Sequence, residues 1–243
     1  MSETLSLLSY GDTGWLDEIA LGVVVTVALA LATAPLALVL GFLSSLARTS
    51  IHAELRLASR LYTTVFRALP ELVTIFLIFF GLIPVFARGL DAASEWLTGA
   101  PVGLSAGVLA FFAGWLALGL TIGAYASEVF TSAFRAIPRG QYEGAHAIGL
   151  RPSRTLALVI APQVFRVALP GLSNLWVILL KDTALVSTIA LNETLRQVSV
   201  ASRVTKEPFV FFGVACLIYL VLTLSSSAVL NRIDERMARA DAR

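Results

Sequence analysis

Charged side chains inside apolar stretches are the residues of this sequence best suited to chemistry. Five of them interrupt long hydrophobic runs: Arg67, Glu71, Glu128, Lys181 and Asp182. A charge at the centre of a lipid bilayer costs about 2.5–3.5 kcal/mol on insertion scales, so such residues pair with an opposite charge or line a polar pathway. Each of the five is therefore a candidate for binding a polar solute, or one half of an internal ion pair.

The apolar runs themselves are typical of a membrane protein. Its 243 residues are 57% hydrophobic and 14% charged, whereas soluble domains contain about 25% charged residues. We expect an all-α, polytopic fold with a lead-in at 1–18, a transmembrane domain at 19–231 and a tail at 232–243. Residues 155–168 are too interrupted for a span and are predicted to form an interfacial helix. The five predicted spans are 19–47, 61–86, 102–126, 169–191 and 208–230.

The distribution of basic residues predicts how these spans are oriented. Eleven Lys and Arg residues lie in three alternate polar segments, against four in the segments between them. The segments with eleven are 48–60, 135–154 and 231–243. Basic residues concentrate on the cytoplasmic side of membrane proteins, so we expect the N-terminus outside and the C-terminus inside. The net charge of +2 is too small to indicate nucleic acid binding.

The polar segment at 135–154 has the pattern of a short helix rather than of a linker. Pro138 can start a helix, because the N–H that proline lacks has no partner in a first turn. Gly149 can end the same helix in a left-handed conformation. Three residues at helical spacing would share one side of it: Tyr142, Ala145 and Ile148. A short helix held outside the membrane between two spans is suited to docking a soluble partner.

Motifs that would supply an energy source or a metal site are missing from the sequence. It contains no phosphate-binding loop and no His-Glu-x-x-His. Cys216 is the only cysteine and lies in an apolar run, so neither a disulfide nor a thiolate metal site is expected. We expect a chain that is not an enzyme and that binds neither metal nor cofactor, with any ATP hydrolysis carried out by a partner.

The segment around Glu143 resembles the EAA loop of bacterial ABC importer permeases, in which Glu-Ala-Ala, three residues, Gly and nine residues precede Ile-x-Leu-Pro. Here Glu-Gly-Ala, Gly149 and Val-Ile-Ala-Pro162 have the same spacing, with Gly144, Val159 and Ala161 as small or apolar departures. In the family this loop forms a coupling helix in a groove of the ATPase subunit. The resemblance implies a coupling loop at 135–162. Its implied coupling residues are Pro138, Tyr142, Glu143, Gly144, Ala145, Gly149 and Pro162.

Three motifs inside the spans resemble polar amino acid permeases of the same class. They are Phe66-Arg67-Ala68-Leu69-Pro70, Ala124-Tyr125-Ala126-Ser127-Glu128 and Lys181-Asp182-Thr183-Ala184-Leu185. The family has Gly where this sequence has Ala68, and Ser where it has Ala184. An acid at Glu71 resembles the permeases for basic amino acids and opines, which implies selection of substrate charge, with a structural ion pair as the alternative.

The remaining charged residues leave alternatives open. Glu128 either faces the pathway or pairs with Arg67 or Arg135. Lys181 and Asp182 diverge by about 100° on a regular helix and so do not pair simply. A local break in the helix there would expose backbone groups to a substrate. The residues predicted to line the pathway are Glu71, Glu128, Lys181, Asp182 and Thr183.

The resemblance covers about residues 15–235 and is closest to the histidine/lysine/arginine/ornithine and octopine branch. It implies the type I importer permease fold and a place in the bacterial inner membrane among its lipids. Five spans form half a pathway, which implies a second permease chain, identical or homologous. Two ATP-binding subunits would carry ATP and Mg²⁺, and a periplasmic binding protein would deliver a polar, basic amino acid. The alternatives are an importer of neutral or acidic amino acids, an ATP-independent secondary transporter and a membrane scaffold.

Overall fold

The computed structural model describes residues 7–11 and 14–241, so much of the predicted lead-in at 1–18 lies outside the described residues. Within the described part, five helical stretches are long and apolar enough to cross a membrane. They are Leu16–Thr49, Glu71–Thr98, Ala106–Ala136, Pro152–Ile189 and Pro208–Arg236. The prediction of an all-α fold with five spans is therefore confirmed.

The described residues divide into α-helices α1 to α10 in chain order. Their bounds are α1 Leu16–Thr49, α2 Ala53–Ala68, α3 Glu71–Phe76, α4 Ile83–Thr98, α5 Ala106–Ala136, α6 Arg139–Ala147, α7 Pro152–Thr155, α8 Ala161–Asp182, α9 Thr194–Thr205 and α10 Pro208–Asp241. Two π-helical segments join neighbouring helices, at Leu77–Leu82 and Leu156–Ile160, and a 3-10 helix at Thr183–Ile189 follows α8.

The second predicted span, 61–86, is divided by a proline. Helix α2 ends at Ala68, Leu69 and Pro70 are extended, and α3 begins at Glu71. A residue before proline is pushed out of the helical region by the proline ring, which ends α2. The membrane-length stretch therefore starts at Glu71 and continues to Thr98, so it lies further along the chain than predicted.

Both π-helical segments end two residues before a proline, Pro84 or Pro162. A proline ring clashes with the carbonyl four residues earlier, and a wider turn relieves that clash. The bonds follow this spacing, because the Ile83 N–H donates to the Ile78 carbonyl five residues back. The chain stays helical through both prolines. As a result, residues 155–168 belong to one continuous helical stretch and not to the separate interfacial helix expected.

Helices α1 and α5 form the centre of the fold and approach each other closely at small residues. A Cβ atom placed on Gly41 of α1 would lie 2.6 Å from the Ala126 Cβ of α5. One placed on Gly119 of α5 would lie 2.4 Å from the Leu36 Cδ2. Small residues allow this approach and the van der Waals packing that holds membrane helices together.

Replacing Gly41 with alanine should destabilise the protein. The new methyl group would overlap Ala126, whose backbone carbon also lies 3.0 Å away, so the two helices must separate. Overpacking of this kind costs on the order of 1–3 kcal/mol. Thermal unfolding of the detergent-purified protein measures the loss. Gly213→Ala in α10 is the matched control, because nothing lies within 4 Å of its Cβ position, and an unfolding temperature unchanged by Gly41→Ala would contradict the packing.

Candidate functional site

Two of the predicted pathway residues lie together where a helix start meets a helix end. Glu71 is the first residue of α3, and Asp182 is the last residue of α8 before the 3-10 helix begins. Both side chains are half-buried, α3 packs against the 3-10 helix, and the two charges are close enough to interact. No described cation forms an ion pair with Glu71 or Asp182. Two unpaired carboxylates at this depth attract a cationic group.

Glu128 belongs to a different group. Its Oε1 accepts hydrogen bonds from Arg48 and Arg67 at 2.6 Å each, and the Arg67 guanidinium also lies over the Tyr125 ring at 5.8 Å from its centroid. The structure thus contains the ion pair with Arg67 that was one alternative for Glu128, whereas Arg135 is exposed and takes no part in it. Arg48 was missed because it lies 80 residues away in sequence. Two cations share one anion, so the cluster is net positive.

The neighbours of Asp182 point in different directions. Lys181 is exposed and lines an open cleft between α8, α9 and α10 together with Phe212 and Tyr219. Thr183 is fully buried, and its hydroxyl donates to the Leu180 carbonyl at 2.7 Å. The change from an α-helix to a 3-10 helix falls between Asp182 and Thr183. Lys181 and Asp182 thus form no ion pair, as their adjacent positions on a helix require, although the Lys181 charge is near enough to act on Asp182.

Glu193 is a buried carboxylate that the sequence analysis missed. The polar residues between the fourth and fifth predicted spans contain α9, with Glu193 as its N-cap. The side chain is completely buried and accepts from the N–H groups of Leu195 and Arg196. Burial raises the pKa of this carboxyl, while its donors favour the charged form. Glutamate is not among the preferred N-cap residues, so the residue types around Glu193 did not indicate the start of a helix.

The predicted coupling segment forms helix α6 with the ends expected. Pro138 is its N-cap, and Gly149 follows its last turn with a φ of +82°. The Gly149 N–H donates to the His146 carbonyl at 2.9 Å, which closes the turn. Only glycine adopts that φ without strain, so Gly149 fixes the end of the helix.

One side of α6 faces the protein and the other is free. Ala145 is buried and Tyr142 is half-buried, and this burial raises the pKa of the Tyr142 hydroxyl. Ile148, expected on the same side, is 78% exposed because the helix has ended before it. The Gln163 amide donates to the Gln141 side chain at 3.1 Å and ties α6 to α8.

The free side of α6 carries Glu143, Gly144 and His146, all exposed. Nothing lies within 4 Å of the Gly144 Cβ position, so this surface is open to close approach by another backbone. Pro162 lies further along the chain, at the start of α8 and next to the π-helical segment on which α6 packs. A movement of α6 is thereby connected to the fourth membrane-length stretch.

Known proteins resemble this chain over nearly its whole length. Residues 35–239 match the family of binding-protein-dependent transport system inner membrane components. The chain is 40% identical over 231 residues to the nopaline transport system permease protein NocQ of Agrobacterium fabrum, covering 94% of this chain and 92% of that one. It is 36% identical over 227 residues to the histidine/lysine/arginine/ornithine transport system permease protein HisQ of Salmonella typhimurium, covering 93% and 95%.

The fold is also similar to a solved transporter. A crystal structure of an amino acid ABC transporter with histidines matches with a TM-score of 0.72 at 26% identity, covering 91% of this chain and 95% of that one. The predicted resemblance to polar amino acid ABC permeases is confirmed, together with the inner-membrane location and the absence of a catalytic role. The chain belongs to the family of binding-protein-dependent transport system inner membrane components and is a permease subunit of an amino acid ABC transporter.

Proposed function

We propose that this permease imports basic amino acids or related opines, and that Glu71 and Asp182 select the positive charge. The single observation that carries the proposal is that these two carboxylates lie close together where α3 packs against the 3-10 helix, and neither forms an ion pair with a described Lys or Arg. A basic amino acid has two positive groups, so Asp182 would bind the α-ammonium and Glu71 the side-chain cation. The named substrates of NocQ and HisQ support the same class.

Membership of the family supports the remaining parts of the proposed transporter. The N-terminus would lie outside and the C-terminus inside, so that α6 and its exposed Glu143 face the cytoplasm. Two ATP-binding subunits would dock there and hold ATP and Mg²⁺. A second permease chain, identical or homologous, would complete the pathway, and a periplasmic binding protein would deliver the amino acid. Closure of the ATPases would move α6, which carries the movement to α8.

Uptake of radiolabelled arginine into proteoliposomes tests this function. The permease, its ATPase and its second permease chain are reconstituted, with ATP inside and liganded binding protein outside. Arginine should accumulate, and uptake should fall to background when ADP replaces ATP or when the binding protein is left out. Glutamate and leucine, tested as competitors for the complex, should not reduce arginine uptake. Uptake that follows a proton gradient without ATP would favour a secondary transporter and refute the proposal.

A further inference from the structure

The Glu193 carboxylate joins three helices at one point. It accepts hydrogen bonds from the Leu195 and Arg196 N–H groups of α9 at 2.9 and 2.8 Å, from the Tyr219 hydroxyl of α10 at 3.1 Å, and from the Thr26 hydroxyl of α1 at 3.3 Å. No described Lys or Arg forms an ion pair with it. A buried charge without a counter-ion is stable only when donors surround it, so each of these bonds has a large effect on its position.

The start of α9 is held directly against α1. A Cβ atom at Gly22 would lie 3.0 Å from the Glu193 carbonyl carbon, so only glycine leaves room for this contact. The Thr26 hydroxyl lies 2.8 Å from the Thr194 hydroxyl and accepts from the Thr194 N–H at 3.2 Å. Glu193 is therefore fixed relative to α1 by its own backbone as well as by its side chain.

The same network extends to the acidic pair through Tyr219. The Tyr219 hydroxyl donates to Glu193, and its side chain lines the same cleft as Lys181 and Ala184, which flank Asp182 and Thr183. Helix α10, which carries Tyr219, packs against α8, and the buried Thr183 hydroxyl donates to the Leu180 carbonyl of that helix. Thr183 directly follows Asp182, at the change from the α-helix to the 3-10 helix. Because the regular α-helical bonds end here, the position of this segment depends on contacts from outside it.

We propose that Glu193 is a positioning residue for substrate: through the Tyr219 hydroxyl it holds α10 against the end of α8, and so fixes the Asp182 carboxylate relative to α1 and α9. This inference rests on the proposed function, in which Asp182 binds the α-ammonium of the amino acid. It assigns a role in substrate affinity to a residue that does not itself touch substrate. Tyr219 is the element through which that role acts.

Two variants separate positioning from a purely structural role. Tyr219→Phe removes the hydroxyl and leaves intact the hydrogen bonds that Glu193 accepts from α9. Glu193→Gln removes the charge that holds the hydroxyl. Equilibrium dialysis of radiolabelled arginine with the purified permease–ATPase complex, without binding protein, gives the dissociation constant directly. We expect a rise of about three- to tenfold for each variant, the amount expected for one hydrogen bond.

The double variant should bind arginine no more weakly than the weaker single variant, because both changes interrupt one series of contacts. Ser105→Ala is the control, since Ser105 is the N-cap of α5 and accepts only from the Val108 N–H, outside this network. A fall in unfolding temperature with an unchanged dissociation constant would mean that Glu193 only stabilises the fold, and would overturn the inference alone. If the wild-type complex neither binds nor transports arginine, the proposed function fails and the inference with it.

Discussion

The complex carrying Glu143→Arg is expected to lose its substrate-stimulated ATP hydrolysis. Glu143 lies on the free side of α6, where an ATPase subunit would dock. Reversing its charge would place a cation opposite the ATPase group that faces the Glu143 carboxylate. The loss of such an interface charge costs roughly 2–5 kcal/mol, so stimulation should fall by more than about tenfold. ATPase activity in proteoliposomes measures this, and a pull-down reports whether the subunits still assemble.

The matched control for this experiment is Glu207→Arg. Glu207 is also exposed and undergoes the same reversal of charge, but it lies between α9 and α10, away from α6. Both variants should unfold at the wild-type temperature, because neither side chain is buried. Unchanged assembly and stimulation in Glu143→Arg would rule out α6 as the docking helix. Equal losses in both variants would point to a general effect of charge instead.

The second large effect concerns which positive group of the substrate is bound by Glu71 and which by Asp182. Glu71→Gln should weaken arginine binding by roughly tenfold to a hundredfold, the range for one hydrogen bond to a charged group. Citrulline has the shape of arginine with an uncharged end, so its binding should hardly change in this variant. Asp182→Asn should weaken both ligands, because both have an α-ammonium group. Equilibrium dialysis of the two labelled amino acids measures all four dissociation constants.

An exposed acid provides the comparison for these variants. Glu95→Gln on α4 removes one negative charge without touching the acidic pair, and arginine binding should stay as in wild type. If Glu71→Gln weakens arginine and citrulline alike, Glu71 does not distinguish the charged end of the substrate. If neither variant changes arginine affinity, the substrate site lies elsewhere, for instance on the second permease chain.

The sequence predicted those features that depend on local chemistry. Pro138 and Gly149 marked the ends of α6, because the conformations they allow do not depend on distant contacts. The five spans followed from apolar runs alone. The division at Pro70 has an equally local cause, the restricted residue before a proline, and was within reach of the same reasoning.

Contacts between helices were harder to predict, since they depend on how each span is rotated about its axis. A helix that is apolar on all sides carries no stripe of polar residues from which its rotation can be read. The Arg48–Glu128 pair and the Tyr219–Glu193 bond both connect such helices, across 80 and 26 residues respectively. The closeness of Glu71 to Asp182 also depends on how the helices are rotated. The sequence alone therefore could not show that Glu71 and Asp182 lie together while Glu128 pairs with arginines.

The hydrogen bond between Thr26 and Glu193 also has a consequence for biosynthesis. The two residues are 167 positions apart, so α1 leaves the ribosome long before its partner exists. At about 5–20 residues per second, the interval is on the order of ten to thirty seconds. During that time the Thr26 hydroxyl and the space beside Gly22 must be occupied by lipid, water or a chaperone. A chain arrested before residue 193 would therefore keep α1 in the membrane without its native neighbour, and quality-control proteases would meet it in that state.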